Sequence, residues 1–207
     1  MNYWVKTPIL VQRIFGQLIW SLPKNKSQVY LTFDDGPTKE VTEDLLNILS
    51  NFNVKATFFC VGANVAKHPD IYAKIIEQGH HIGNHSMTHI NGWRYGKKAY
   101  LADIKNASKH IKSNLFRPPY GKLNWRAKAA LLKEYRIIMW DVAGGDFDSK
   151  CSQNNVVQNV LSNLDSGNII VLHDNEKFRE KTLGALPSII ENTLEKGFSF
   201  SPIPYLD

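Results

Sequence analysis

The chain of 207 residues contains little of what would make it a disulfide-rich, repetitive or disordered protein. Its two cysteines, Cys60 and Cys151, are too few for the disulfide scaffold of a small secreted domain. No internal repeat or low-complexity tract is visible, which argues against a solenoid or a disordered linker. The composition, with 43% hydrophobic and 21% charged residues, predicts a soluble globular protein of one domain's length.

Long runs of one charge are also missing from the sequence. The formal net charge is +6, but the lysines are spread along the chain. Nucleic-acid binding is not expected, because no basic stripe alternates with aromatic residues. The mild excess of positive charge instead favours acidic surfaces or polymers as partners.

The first 26 residues lack both the uninterrupted apolar stretch and the small-residue cleavage site of a signal peptide. The apolar stretch is also too short and too polar to span a membrane. It is interrupted by three polar residues, Gln12, Arg13 and Gln17. We therefore expect a cytoplasmic protein, or one that is peripheral at the inner face of the membrane.

Apolar residues in the same segment nevertheless recur at helical spacing. They are Leu10, Val11, Ile14, Phe15, Leu18, Ile19 and Leu22. We predict an amphipathic helix that forms an N-terminal extension over residues 1–26. It either packs on the domain or contacts a membrane surface through residues 7–22, with Trp4 and Trp20 as interfacial anchors.

Short apolar runs alternate with helical patterns over residues 27–207. The predicted strands are 29–33, 56–61, 81–84, 115–117, 137–141, 168–172 and 198–203. The predicted helices are 38–51, 64–78, 97–113, 125–135, 154–163 and 182–196. Gly79 and Gly197 stand where glycine commonly ends a helix. The alternation predicts an α/β domain whose seven or so parallel strands close into a small, irregular barrel, with an open doubly wound sheet as the alternative.

Polar residues follow the predicted strands. They are Asp34, Asp35, His85, His89, Arg117, Tyr120, Asp141, Asp146, His173 and Asp174. In both architectures ligands bind at the carboxyl ends of parallel strands. The convergence of acids, histidines and an arginine at this end therefore predicts an active site.

The stretch HSMTH and the pair of aspartates together indicate a metal site. His85 and His89, four residues apart, lie on one face of a helix or helical turn, where neutral imidazoles share an ion. Two histidines and one carboxylate, with an open position for water, form the usual hydrolytic zinc site. Asp34 and Asp35 precede a Gly-Pro turn, so one can ligate the metal while its neighbour reaches the water. Helix capping is the weaker interpretation, because Thr38 is available as the cap.

Two further residues have chemistry suited to a hydrolase. His173 follows a fully apolar strand, and an imidazole titrates near neutrality as a general acid must. Arg117 is followed by two prolines and can orient a carboxylate through paired hydrogen bonds. The alternatives are a satisfied histidine at a strand end and a surface salt bridge.

Five motifs, TFDDGP, HSMTH, RPPY, WDVAGGDF and IVLHD, resemble those of the NodB-homology polysaccharide deacetylases, carbohydrate esterase family 4, in order and rough spacing. The resemblance covers about residues 30–203. It implies a distorted, incomplete (β/α) barrel that removes N-acetyl groups, occasionally O-acetyl groups, from sugars such as chitin oligomers and peptidoglycan. It also implies a bound divalent metal, which we expect to be zinc.

The resemblance assigns roles to the residues that match each motif. Asp34 corresponds to the catalytic base, and Asp35 to the aspartate that binds the metal. His85 and His89 correspond to the two metal-binding histidines. The first two motifs would thus supply the metal site and the base.

The other motifs would supply the remaining catalytic groups. Arg117 corresponds to the arginine that holds the base, and Tyr120 to the residue whose backbone N–H helps to form the oxyanion hole. His173 corresponds to the catalytic histidine, and Asp146 to its carboxylate partner. We therefore expect metal-assisted amide hydrolysis that releases acetate.

The substrate-binding residues are predicted to be Tyr120, Phe147, Trp93 and Leu172, and Tyr95 can also stack on a sugar. In the fourth motif Ala143 replaces the family's first aspartate, and Phe147 replaces a tryptophan. We expect this difference to change the shape of the accepted substrate more than the chemistry.

Two other functions stay open at this stage. One is a carbohydrate-binding member of the fold with weak or no catalysis. The other is an O-acetyl esterase or an amidase that acts on a different acylated compound. The acetyl compound from which acetate is released distinguishes these hydrolases.

Overall fold

The computed structural model describes residues 3–24 and 26–205, and a parallel β-sheet lies at its centre. The strands are β1 (Gln28–Asp34), β2 (Thr57–Cys60), β3 (His81–Asn84), β4 (Leu115–Phe116), β5 (Arg136–Ile137), β6 (Val142–Ala143), β7 (Ile169–His173) and β8 (Ser199–Phe200). The helices are α1 (Ile9–Ile14), α2 (Lys39–Asn51), α3 (Gly62–Lys67), α4 (Pro69–Glu77), α5 (Lys97–Ala107), α6 (Lys128–Leu131), α7 (Gln153–Leu161) and α8 (Arg179–Glu195).

The sheet runs in the order β5-β4-β3-β2-β1-β7-β6, and β8 also pairs with β1. All of these neighbouring strands are parallel. The predicted incomplete barrel of parallel strands is confirmed, and the helices flank it. Because the strands are parallel, the residues that follow them meet at one edge of the sheet.

Strand β1 is central and sets the position of the site. It pairs with β2 on one side and with β7 on the other, so that Asp34 lies opposite both Phe59 and His173. Both faces of the strand are covered, as its apolar sequence requires. Leu31 and Phe33 are fully buried. The sheet thus brings a carboxylate and an imidazole from distant parts of the chain next to each other.

The predicted helix over residues 64–78 is in fact two helices, α3 and α4. His68, between them, has φ −129° and ψ 60°, and Pro69 is the first residue of α4. A residue before proline is disfavoured in the α conformation, so the helical pattern is broken at this point. Gly79 and Gly197 have φ of +77° and +78°, which confirms their predicted position after a helix end.

The predicted amphipathic helix is much shorter than the apolar pattern indicated. Helix α1 ends at Ile14, and the chain then continues along the sheet. Ile19 forms a parallel bridge with Ile138, while Ser21 forms an antiparallel bridge with Asn168. The predicted helix was wrong after Ile14. There the backbone pairs with unpaired backbone groups of the sheet, and these hydrogen bonds replace those of a longer helix. The division of the chain after residue 26 stays a prediction.

The same pairing explains why the predicted strand over residues 137–141 is also shorter in the structure. The pairing with β4 ends at Ile137. Beyond it, the amide of Met139 donates to the carbonyl of Ile19 instead. Val142 and Ala143 form the separate strand β6, which the sequence analysis missed. Among the described helices, none is long and apolar enough to cross a membrane.

Candidate active site

The two adjacent aspartates at the end of β1 point to different partners because the chain turns between them. Asp34 is the last strand residue, and Asp35 has a left-handed backbone with φ of 88°. Gly36 follows, and its amide donates to Asp174 Oδ1 over 2.8 Å. A Cβ atom on Gly36 would lie 1.8 Å from Asp174 Oδ2, so only glycine fits this turn.

Asp35 forms a cluster with His85 and His89 that can hold one metal ion. Asp35 Oδ1 lies 3.1 Å from His89 Nε2 and 3.7 Å from His85 Nε2. One ligand atom from each of the three residues lies within 4.8 Å of the others. A zinc ion sits ~2.0–2.2 Å from such nitrogen and oxygen atoms, so this spacing suits shared ligation.

The state of His85 also suits metal binding. Its Nδ1 lies 2.8 Å from the backbone carbonyl oxygen of Arg117. Donation from Nδ1 to that carbonyl leaves Nε2 as a free acceptor directed at the cluster. Burial lowers the pKa of His85 to about 4, so its imidazole is neutral at neutral pH, as a ligand must be.

The loop that carries the histidine pair is not helical, contrary to the predicted helical turn. Ser86 and His89 have left-handed backbones, with φ of 64° and 56°. Asp103, on α5, accepts hydrogen bonds from the amides of Met87 and Thr88 over 2.8 and 3.1 Å. The loop therefore folds back on itself and brings the two imidazoles together without a helix.

Arg117 is completely buried, which excludes the alternative of a surface salt bridge. Its Nη1 donates to Asp34 Oδ1 and to Thr32 Oγ1, each over 2.7 Å. Nη2 donates to the carbonyl of Met139 over 3.0 Å, and Nε donates to that of Ile138 over 3.3 Å. Every edge of the guanidinium is thus hydrogen-bonded, and Asp34 is held in one orientation.

His173 is paired with Asp146 on the opposite side of the site. Its Nδ1 lies 3.0 Å from Asp146 Oδ1, and its amide donates to Asp146 Oδ2 over 2.7 Å. Burial lowers the pKa of His173, but the neighbouring Asp146 carboxylate outweighs it and raises that pKa to about 9. The imidazole is therefore protonated at neutral pH. Thr182 also donates to Asp146 and fixes its second oxygen.

Three residues orient the aspartate turn, of which Asp174 was listed only among the polar residues that follow strands, while Asn64 and Asn175 were not predicted. Asn175 Nδ2 donates to Asp35 Oδ2 over 3.0 Å, and Asn64 Nδ2 donates to the Asp35 backbone carbonyl over 2.7 Å. Asp174 accepts the amide of Gly36, as described above. Asp174 and Asn175 directly follow His173, and this adjacency was the available signal. No sequence signal pointed to Asn64, because α3 meets the turn only in the folded chain.

Thr38 stands at the N-cap position of α2 but does not cap the helix with its side chain. Its hydroxyl donates to the backbone carbonyl of Asp174 over 2.9 Å. The predicted cap is wrong in this respect. Thr38 instead ties the start of α2 to the segment that follows β7.

Two of the residues singled out in the sequence, one polar and one apolar, do not lie in the site as expected. Asp141 accepts from the amide of Ile169, the first residue of β7, so it lies at the opposite end of that strand from His173. Leu172 is fully buried in the core. Its predicted contact with substrate is wrong, because its side chain has no exposed surface.

Two of the aromatic residues expected to contact substrate, Tyr120 and Phe147, lie beside the histidines. The Tyr120 ring is 4.4 Å from the His89 ring, and the Phe147 ring is 5.3 Å from the His173 ring. Trp93 is 65% exposed and lies over Lys122 Nζ at 5.3 Å. Their roles in binding, like the catalytic roles assigned above, stay predictions.

An open cleft of about 540 Å³ lies beside the cluster of Asp35, His85 and His89. Its lining includes Asp35, His89, Tyr120, Asn175 and Phe178. Asp34 and His173 do not line the cleft but lie next to this cluster, since Asp34 Oδ2 is 3.9 Å from His85 Nε2 and Asp34 pairs with His173 across β1 and β7. This arrangement can activate water, accept a proton and deliver a proton to a leaving group.

Comparison with known proteins supports this chemical interpretation. The sequence model of the family described as Polysaccharide deacetylase matches residues 21–137. A peptidoglycan-N-acetylglucosamine deacetylase of Bacillus cereus is 30% identical, and the match covers 92% of this chain and 93% of that protein. A chitooligosaccharide deacetylase of Bradyrhizobium is 32% identical, with 86% and 90% covered.

Solved structures show the same similarity in three dimensions. A peptidoglycan N-acetylglucosamine deacetylase superposes with a TM-score of 0.88 at 32% identity, covering 96% of this chain and 95% of that one. A carbohydrate esterase family 4 pseudoenzyme from Bacillus anthracis superposes with a TM-score of 0.77 at 26% identity, with 89% and 66% covered. The fold alone therefore does not guarantee catalysis, and the residues of the site must carry that conclusion.

Proposed function

Because this chain belongs to the polysaccharide deacetylase family, we propose that it is a metal-dependent hydrolase that removes N-acetyl groups from glycans containing N-acetylglucosamine. The observation that carries the proposal is that three units meet at the carboxyl ends of neighbouring strands, where Asp34 lies opposite His173 and 3.9 Å from His85 Nε2. They are the Asp35, His85 and His89 cluster, the Asp34–Arg117 pair and the His173–Asp146 pair.

The cluster of two imidazoles and one carboxylate fits a divalent cation, and zinc suits this mixture of nitrogen and oxygen ligands. When bound, the ion supplies Lewis acidity at the carbonyl and lowers the pKa of water. Asp35 is prepared for this role. Burial raises its pKa, but the hydrogen bond from His89 and the nearby charge of His173 outweigh burial and lower that pKa, so the carboxyl is ionised.

Asp34 is placed to accept the proton of the water that attacks the acetamide carbonyl. Arg117 holds one of its carboxylate oxygens, while the other lies 3.9 Å from His85 Nε2 at the metal cluster. His173 is protonated at neutral pH and delivers a proton to the departing nitrogen, which leaves poorly as an anion. The Tyr120 backbone N–H is the further donor for the oxyanion; removal of one such donor typically costs ~10²–10³ in kcat.

The proposal predicts zinc-dependent release of acetate from N-acetylglucosamine oligomers. Purified protein stripped of metal should be inactive, and added zinc should restore activity. His85→Ala should lose both zinc and activity, because it removes a buried ligand. His110→Ala, an exposed histidine outside the cleft, serves as the matched control.

The outcomes separate the proposal from its alternatives. Zinc-dependent release that His85→Ala abolishes supports the N-deacetylase. Release from O-acetylated sugars alone identifies an esterase. Zinc binding with no release from either class of compound would leave a carbohydrate-binding member of the fold.

We also propose that the N-terminal segment attaches the protein peripherally to the inner face of a membrane. Helix α1 has no buried residue, and Ile9, Leu10 and Ile14 are 64–69% exposed, so these side chains do not pack on the domain. Trp4 is also exposed, at 58%. Exposed apolar side chains and an exposed tryptophan in one segment suit the interface between water and lipid.

Replacement of Ile9, Leu10 and Ile14 by serine should lower co-sedimentation with anionic liposomes by roughly tenfold or more, since each side chain buries apolar surface in the lipid. Ile76→Ser, which changes an exposed isoleucine on α4, is the control. Equal sedimentation of the triple variant and the parent protein would refute membrane attachment through this segment.

A further inference from the structure

A second cavity of about 360 Å³ adjoins the catalytic cleft. The two cavities share Thr88, His89 and Tyr120. They therefore form a continuous groove that passes the Asp35, His85 and His89 cluster. The outer part of the groove is formed by two loops, 91–96 and 120–124. A glycan chain whose acetylated sugar occupied the cleft would extend its neighbouring sugar into this second cavity.

Close backbone contact and a hydrogen bond hold the two loops together, so the second cavity has its shape before a ligand binds. A Cβ atom on Gly92 would lie 2.3 Å from the carbonyl oxygen of Lys122, which shows how closely the backbones approach. Asn124 Nδ2 donates to the carbonyl of Tyr95 over 2.8 Å, and Asn91 accepts the amide of Arg94 over 3.0 Å. A preformed surface loses little conformational entropy when it binds a ligand.

The lining of this cavity carries positive charge and no acidic residue among those described. Arg94 and Lys122 both line it. In residues 3–24 and 26–205, no carboxylate lies within ion-pair distance of either side chain. By contrast, the surface residue Arg179 is paired with Glu40 and Asp44. Unpaired cations beside a concave surface attract an anionic ligand.

The side chains also provide surfaces suited to a sugar ring. Tyr95 and Tyr120 are 53% and 58% exposed, and both line the cavity. Lys122 is held over the Trp93 ring at 5.3 Å. The planar guanidinium of Arg94 offers the paired donors that match carboxylate and phosphate oxygens.

We propose that this second cavity is a subsite for an anionic sugar, one that carries a carboxylate or a phosphate, next to the N-acetylated sugar that reacts. This inference rests on the proposed function, since it names the class of glycan that the same groove accepts. The enzyme would therefore prefer an acidic glycan to a neutral one of the same length. The preference arises from binding and not from the bond-breaking step.

The test compares three tetramers with zinc-loaded protein by isothermal titration calorimetry. One is the neutral N-acetylglucosamine tetramer, the second carries carboxylates on alternate sugars, and the third carries a phosphate ester at the same positions. We expect at least one acidic tetramer to bind about fivefold or more tightly than the neutral one. Arg94 and Lys122 would each form an ion pair with the anionic sugar, and such pairs near the surface contribute modestly to affinity. The second and third tetramers distinguish carboxylate from phosphate as the recognised group.

Variants locate the effect in this cavity. Arg94→Gln with Lys122→Gln should reduce the acidic preference to within about twofold, and Arg94→Glu with Lys122→Glu should reverse it. Lys128→Gln is the matched control, because Lys128 lies over the Trp125 ring at 5.4 Å but does not line the cavity. The control should retain the full preference. Added salt should weaken the preference in the parent protein, since Arg94 is exposed and Lys122 is only partly buried.

Two results would overturn the inference. One is equal affinity of the parent protein for all three tetramers, and the other is an acidic preference that survives in the glutamate double variant. Neither depends on turnover, since binding is measured directly. Failure of the proposed function would be seen separately, as absence of acetate release from every tetramer.

Discussion

Replacement of Asp34 by asparagine is expected to lower kcat for acetate release by about 10² to 10⁴-fold, the usual contribution of a general base. Asparagine has the shape of aspartate, and its amide oxygen can still accept from Arg117, but the group can no longer take a proton from water. The proposed metal ligands, Asp35, His85 and His89, are unchanged. The zinc content of the variant should therefore equal that of the parent protein.

The measurement is steady-state acetate release, with zinc determined on the same sample. Asp70→Asn, which changes an exposed aspartate in the first turn of α4, controls for the loss of a carboxylate elsewhere. A kcat close to that of the parent protein, in an Asp34→Asn sample that holds normal zinc, would reject Asp34 as the base. A sample without zinc would instead assign Asp34 to metal binding.

The largest effect on stability is expected from Arg117→Met, which should lower the free energy of unfolding by about 3–5 kcal/mol, as breaking a buried ion pair typically does. Methionine fills much of the volume but leaves the Asp34 carboxylate without its cation. It also leaves the carbonyls of Ile138 and Met139 without the guanidinium donors, and unpaired buried acceptors are costly.

Urea unfolding of the metal-free protein measures this loss without any contribution from ligand binding. Arg179→Met is the matched control, since Arg179 forms its ion pairs at the surface, where such pairs contribute ~0–1 kcal/mol. If both variants lost the same small amount, the buried network around Arg117 would not stabilise the fold as described.

The Arg117 network also explains how the site tolerates its altered fourth motif. The family's first aspartate in that motif is replaced by Ala143, which is buried in β6 and pairs with Val171 of β7. The guanidinium does not lack a partner as a result, because backbone carbonyls of Ile138 and Met139 occupy its remaining donors. The sequence difference is therefore compatible with an intact Asp34–Arg117 pair.

The central strands and the convergence of site residues were predictable from sequence because both depend on simple rules. Apolar runs bounded by turns gave β3 with its observed bounds and gave β1 to within one residue at each end. Parallel pairing then required Asp34, His85, Arg117 and His173 to meet at one edge. These inferences need only the period of the pattern and the direction of the strands.

The errors arose where tertiary contacts decide the local structure. Helical spacing in residues 10–22 was genuine, yet the backbone around Ile19 and Ser21 pairs with the sheet. The HSMTH stretch has helical spacing too, yet Asp103 from α5 holds it in a loop. Orientation of Asp35 by Asn64 and Asn175 depends on segments that only the fold brings together. No local pattern encodes such partners.

The left-handed residues around the cleft have a consequence for how this protein can change. Asp35, Ser86, His89 and Tyr120 all have positive φ, a conformation that costs a non-glycine residue ~1–3 kcal/mol in sparsely populated regions. Glycine would adopt it freely at each position, but glycine at Asp35 or His89 would remove a side chain from the metal cluster. Selection for stability alone would therefore favour glycine at these positions. The barrel would stay folded, but the candidate metal site would lose side chains. Asp35 and His89 are therefore the two positions at which glycine would relieve the backbone and at the same time remove a side chain from the candidate metal site.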